Sequence, residues 1–208
     1  DIIDYIVAHS NVAVHYVTND PEDQIFEVAK RQPQIHPYYI GQKKTITLFM
    51  KMDADVVVMT TPDLDNYYLK RSYVRKDIEY VYVPHGMASQ ILTIHKGGCD
   101  NFDTAFCAGQ HHIDELREME ALYGTRKKTL APMGYCLLDD LIADYESQPH
   151  EAHTRPVVLI APSWQKDNLL DTCIDGLIES LLKADCRVVV RPHPEYVKRF
   201  KAQAAALK

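Results

Sequence analysis

Short runs of β-branched and apolar residues alternate along this chain with longer segments in which apolar positions recur every three or four residues. That alternation marks βαβ units around a mostly parallel sheet, so the pattern predicts an α/β protein. Strands are expected at residues 12–17, 37–40, 56–60, 80–83, 104–107, 129–132, 157–161 and 188–191. Several are apolar at every position, as strands covered on both faces are. Helices are expected over 21–31, 43–52, 111–123, 138–145, 169–184 and 195–207. The stretch Asn19-Asp20-Pro21-Glu22 supplies a start signal, a capping side chain ahead of proline and then an acidic first turn.

From Tyr145 to Pro156 the chain reads YESQPHEAHTRP, which is polar, holds two prolines and lacks an apolar period. It is read as an interdomain linker. The expected organisation is an α/β domain over 1–145, a linker over 146–156, and the start of a second α/β domain over 157–208. That second region carries two expected strands and two expected helices, fewer than a mononucleotide-binding half usually has. The chain opens at Asp1 without methionine and stops at Lys208 inside an expected helix, so a piece of a longer protein is expected. No fixed-period repeat or low-complexity tract is present.

With 208 residues, 46% of them hydrophobic and 25% charged, the chain has the make-up of a folding globular protein. A net charge of -6 and a pI of about 5.9 argue against nucleic acid as partner, because neutralising phosphates takes a surplus of Lys and Arg. Cys99, Cys107, Cys136, Cys173 and Cys186 form no C-x-x-C pair and mostly lie near apolar runs, as reduced thiols of cytoplasmic proteins do. No run of about 18 apolar residues offers a membrane span, and no basic-then-apolar leader opens the chain. Membrane contact, if made, is expected to be peripheral.

In open α/β sheets, ligands sit beyond the carboxyl ends of the strands. Two such ends carry chemistry. In Val83-Pro84-His85-Gly86 a β-prone run stops at proline, and the next side chain is an imidazole suited to take a proton from a hydroxyl. Gly86 permits close backbone approach. The plainer reading makes His85 a turn residue held by a carbonyl. In Arg191-Pro192-His193-Pro194 two prolines stiffen a strand end bearing a guanidinium fork and an imidazole, the outline of an anion site. Its plainer reading pairs Arg191 with a surface carboxylate.

Ser163, in Ala161-Pro162-Ser163-Trp164, would lie near Arg191 and His193 if their strands are parallel neighbours. It is then either a phosphate contact or a turn cap. Trp164, the single tryptophan, is expected to cover a helix rather than stack on a base. His111 and His112 are adjacent at a helix start and should point apart, which disfavours a shared metal. Asp63 and Asp65 should simply solvate a loop. No metal and no cofactor are expected, and dinucleotide, P-loop and hydrolase-elbow motifs do not occur.

These residues give the chain a resemblance to the CDP-glycerol glycerophosphotransferase family, which primes and polymerises teichoic acids and has a GT-B arrangement of two Rossmann-like domains. The match rests on Pro84-His85-Gly86, on Phe102-Asp103 with Ala108-Gly109 after the next strand, on Gly134-Tyr135 with Leu138-Asp139, on Ala161-Pro162-Ser163-Trp164, and on Arg191-Pro192-His193-Pro194. They occur in the family's order between about Tyr80 and Pro194. The resemblance implies that His85 is the base on the acceptor hydroxyl. It also implies that Arg191, His193 and Ser163 hold the donor's diphosphate, with Gly86 beside the substrate. The implied donor is CDP-activated, the acceptor lipid-linked or a polyol phosphate, and the place of work the inner face of the cell membrane.

Departures are Cys136 where the family often has proline, and Ser163 where threonine is commoner. Family segments that grip the rest of the donor would fall after Lys208, and the first 78 residues match only as a generic α/β region. Two other functions fit the same residues: a GT-B glycosyltransferase using a nucleotide sugar, and an inactive nucleotide-binding or docking module.

Overall fold

A computed structural model describes residues 2–149 and 154–206 of the chain. The chain divides into two compact units, Asp1–Glu146 and Ser147–Lys208. The first opens with helix α1 (Ile2–His9), strand β1 (Val14–Thr18), helix α2 (Ile25–Ala29) and strand β2 (Ile35–Tyr39). A 3-10 turn at Gln42–Lys44 then leads into α3 (Thr45–Met50). Next come β3 (Val56–Met59), β4 (Glu79–Tyr82), α4 (Gln90–Thr93), β5 (Thr104–Cys107), α5 (Gln110–Tyr123), β6 (Thr129–Pro132) and α6 (Cys136–Ser147). The second unit holds β7 (Val157–Ile160), α7 (Leu169–Thr172), α8 (Ile174–Lys183), β8 (Arg187–Val190), α9 (Pro194–Arg199) and α10 (Lys201–Ala206).

The expected α/β class is present, and among the described residues every strand pairing is parallel. All eight expected strands form, none displaced by more than two residues at either end. They make a β1-β2 pair, a four-stranded sheet in the order β3-β4-β5-β6, and a β7-β8 pair.

Register assigns the faces of the four-stranded sheet. Val57, Met59, Tyr80, Tyr82, Ala105, Cys107 and Leu130 share one face and join the main core with Leu116 and Met119 of α5. The opposite face leaves Val56 and Val58 exposed. Strands paired in sequence order, joined by right-handed crossovers, put every connection on one side, which accounts for this lopsided cover. In the second unit Val158, Ile160, Val188 and Val190 likewise face the smaller core around Tyr196 and Leu170, while Val157, Leu159 and Val189 face out.

Helices depart further from expectation. α2 is shorter than 21–31, because the Asp20 and Asp23 carboxylates accept from the Glu22 and Ile25 N–H groups and hold residues 20–24 as turns. The expected helix at 169–184 breaks at Cys173, whose φ of -143° leaves the helical region, and Asn168 caps the first piece. The one at 195–207 starts a residue early at Pro194 and breaks at Phe200, which packs in the core, while Leu207 lies outside the described residues. α6 runs on to Ser147, into the stretch read as linker; part of that stretch, residues 150–153, lies outside the described residues. α1 and α4 had no counterpart in the expected elements. α5 ends as helices often do, at Gly124 in the left-handed region with φ of 64°.

Candidate functional sites at the strand ends

The β4 strand delivers His85 to the carboxyl edge of the four-stranded sheet. After the ladder's last bond, Val83 N–H to Met59 O at 3.0 Å, the chain leaves the sheet through Pro84, and His85 stands exposed. Its imidazole has no hydrogen-bond partner among the described residues, so the turn-residue reading, which needs a bond to a carbonyl, is not what the structure shows. Its backbone is tied instead: the Tyr135 hydroxyl donates to His85 O at 3.2 Å. Tyr135 follows Gly134, whose φ of 73° turns the chain after β6. A Cβ on Gly86 would meet nothing within 4 Å, so there is open space beside His85.

Beneath His85, the loop Gly86–Gln90 is gripped by α5. His111 Nε2 lies 2.9 Å from Met87 O, and His112 Nε2 lies 2.8 Å from Ala88 O. The Ala108 N–H donates to His112 Nδ1 at 3.1 Å, which fixes the tautomer with its proton on Nε2. Glu115 accepts from the Gln90 N–H at 2.6 Å, and bonds from Ser89, Gln90 and Ile91 hold its carboxyl below the usual range although burial works against them. Gln90 Oε1 is buried without a partner. The expectation that the two histidines point apart fails, since their ring centroids are 4.3 Å apart. Both lean to one side because successive carbonyls of a single loop attract them.

At the other strand end, β7 and β8 are parallel neighbours in the register Ile160↔Val190, and the Arg191 N–H donates to Ile160 O at 2.9 Å. Ser163 and His193 are therefore each three residues past one paired position. Arg191, Ser163 and His193 are all exposed. Arg191 has no carboxylate partner among the described residues, and Ser163 caps no turn there, which leaves both donors unspent. His193 is the N-cap of α9: its Nδ1 accepts from the Glu195 N–H at 3.1 Å, which directs the remaining donor, Nε2–H, away from the helix. Trp164 packs on the small core with the Arg199 guanidinium 4.5 Å above its ring, a covering role.

Five polar or ionisable side chains, those of Asp103, Asp63, His95, Asp65 and Cys99, serve the fold. Asp103 sits at the amino edge of the sheet, where it accepts from Arg71, from Arg126 and from the Tyr80 N–H. Asp63 does more than solvate its loop. It adopts φ of 71°, donates its N–H to Gly98 O, and pairs with His95 at 2.8 Å. The Asp63 hydrogen bond and then the Lys96 carbonyl raise the His95 pKa, and between them they engage both ring nitrogens. Asp65 likewise organises this loop, its carboxylate accepting from the Arg71 N–H. The Cys99 thiol is pushed up to about 12 by burial and stays protonated.

Sequence reasoning missed His112 as a loop anchor. The described residues hold no group of three or more His, Cys, Asp or Glu fit for a metal, and no helix long and apolar enough to cross a membrane. No protein family, no curated protein and no solved structure matches this chain.

Proposed function

We propose that this chain belongs to a transferase that moves glycerol phosphate from CDP-glycerol to a hydroxyl of a lipid-linked or polymeric acceptor, in the synthesis of a teichoic-acid-like envelope polymer. The reading carries with it the GT-B pairing of two Rossmann-like domains and work at the inner face of the cell membrane. One observation carries it: the pairing of β7 with β8, which brings Ser163, Arg191 and the Nε2–H of His193 to one strand edge with their donors unspent. Three donors at the exit of a parallel sheet suit a diphosphate.

In this reaction His85 takes the proton of the acceptor hydroxyl, and that oxygen forms a bond to the donor's β-phosphorus. The bond from that phosphorus to the bridging oxygen breaks, and CMP leaves with the bridging oxygen and its electron pair. Arg191, His193 and Ser163 stabilise the charge gathering on the diphosphate. A general base contributes about 10²- to 10⁴-fold and each aimed donor about 10²- to 10³-fold.

The test supplies CDP-glycerol, and separately a set of nucleotide sugars, with a lipid-like acceptor, and measures nucleotide release. CMP release from CDP-glycerol is expected, with kcat reduced at least about 100-fold in His85→Ala. Turnover of a nucleotide sugar alone would replace this reading with glycosyl transfer, and donor binding without any turnover would make the protein a binding module.

A further inference from the structure

The carboxyl edge of the four-stranded sheet holds one device that proton transfer by His85 does not itself require. We propose that His111 and His112 are positioning residues which, with Glu115, form a latch setting the loop from which His85 projects. The inference rests on His85 acting as the base.

α5 is a 14-residue helix, so side chains in its first two turns stand at fixed spacing. His111, His112 and Glu115 of this helix hold the Met87, Ala88 and Gln90 peptide groups respectively. Each contact falls one step further along the loop. The grip begins two residues after His85, and the Tyr135 hydroxyl holds the His85 carbonyl itself. A catalytic imidazole that makes no bond of its own is aimed only by its backbone, and here that backbone is fastened on both sides.

His112 does what a core histidine packed for volume need not do. It is fully buried, and its two nitrogens reach the exits of two different strands, Ala108 after β5 and Ala88 after β4. One neutral tautomer serves both bonds, so the ring reads the spacing between the two exits. His111 adds the outer half. A Cβ on Gly109 would come within 3.0 Å of its Nδ1 and 3.1 Å of its Cε1, so alanine at 109 would press the ring away from Met87 O by a few tenths of an ångström.

Exposed His111 offers a safe test, because its replacement leaves the core untouched. Hydrogen exchange and kinetics with CDP-glycerol would be compared for the wild type, His111→Ala, His111→Gln, Gly109→Ala and His112→Gln. Amide exchange about tenfold faster across residues 87–91 is expected in His111→Ala and a smaller rise in Gly109→Ala, with β4 and β5 unchanged. Together with this, kcat should fall while the donor KM holds, and His111→Gln should recover much of it by restoring the donor to Met87 O. His112→Gln, which keeps a donor to Ala88 O, should lie between. Equal exchange at 87–91 in every variant would overturn the latch whatever the turnover, and faster exchange with unaltered kcat would overturn the positioning of His85. If the wild type turns over no CDP-glycerol, the functional reading fails, and the positioning claim with it, while the exchange data still decide whether the latch exists.

Discussion

The two edges of the four-stranded sheet are built on opposite principles. At the amino edge the central charges are matched. Asp103 takes Arg71, Arg126 and the Tyr80 N–H, and Arg71 also donates to the Asn101 and Ile78 carbonyls while its guanidinium stacks 4.4 Å from the Tyr80 ring. Close by, buried Glu120 accepts from Arg117, from the Lys128 ammonium and from the Lys128 N–H. At the carboxyl edge the backbone is held, and the His85 imidazole is left without a partner. Charged side chains such as Asp103 are spent on holding strands together. The side chain free to react is the one whose main chain has been secured by others.

Substitutions can break this contrast in order of size. The deepest cut is Glu120→Ala, which strands the Lys128 ammonium, 2% exposed, without its counter-ion. It should cost about 3 to 5 kcal/mol in the chemical unfolding of the first unit, followed by circular dichroism. Tryptophan emission, which comes from Trp164 in the second unit alone, should shift less if the units unfold separately. Asp103→Ala removes one ladder acceptor and two ion-pair contacts, and about 1 to 3 kcal/mol is expected by the same measurement. In the second unit, His193→Ala should lower stability by about 1 kcal/mol through the lost cap on α9, read by Trp164 emission, and should weaken donor binding as well. His85→Ala should change stability by less than about 0.5 kcal/mol while removing turnover. A large stability loss there would show His85 to be structural and would erase the contrast between the edges.

The strands were legible because β-branched runs such as Val56-Val57-Val58 and Val188-Val189-Val190 bury one face and leave little else for the chain to do. The helix at 2–9 was not, since its isoleucines and valine weigh against helix locally. The breaks at Cys173 and Phe200 were invisible for a related reason: apolar spacing of three to four continues through both, and the core, not the local sequence, interrupts the helix. His85, Arg191 and His193 could be picked out because proline marks each strand end. His112 could not, because its role depends on which loop lies beside α5, and no spacing within 15 residues of it reveals that.

The β4–β5 pairing comprises only two matched positions, Val81↔Thr104 and Tyr82↔Ala105, and Asp103 extends it with its own carboxylate on the Tyr80 N–H. Protonating that carboxylate would weaken the junction, although the Asp103 N–H still donates to Tyr80 O at 2.9 Å. Burial opposes ionisation of Asp103, but Arg71, the Tyr80 N–H and Arg126 outweigh it and hold its pKa below the ordinary value. The support it lends is complete above the unfolded carboxyl's pKa of about 3.9 and drains away as pH falls through the lower, folded value. Acid should then loosen the β4–β5 junction, read as faster amide exchange at Tyr80 as pH falls.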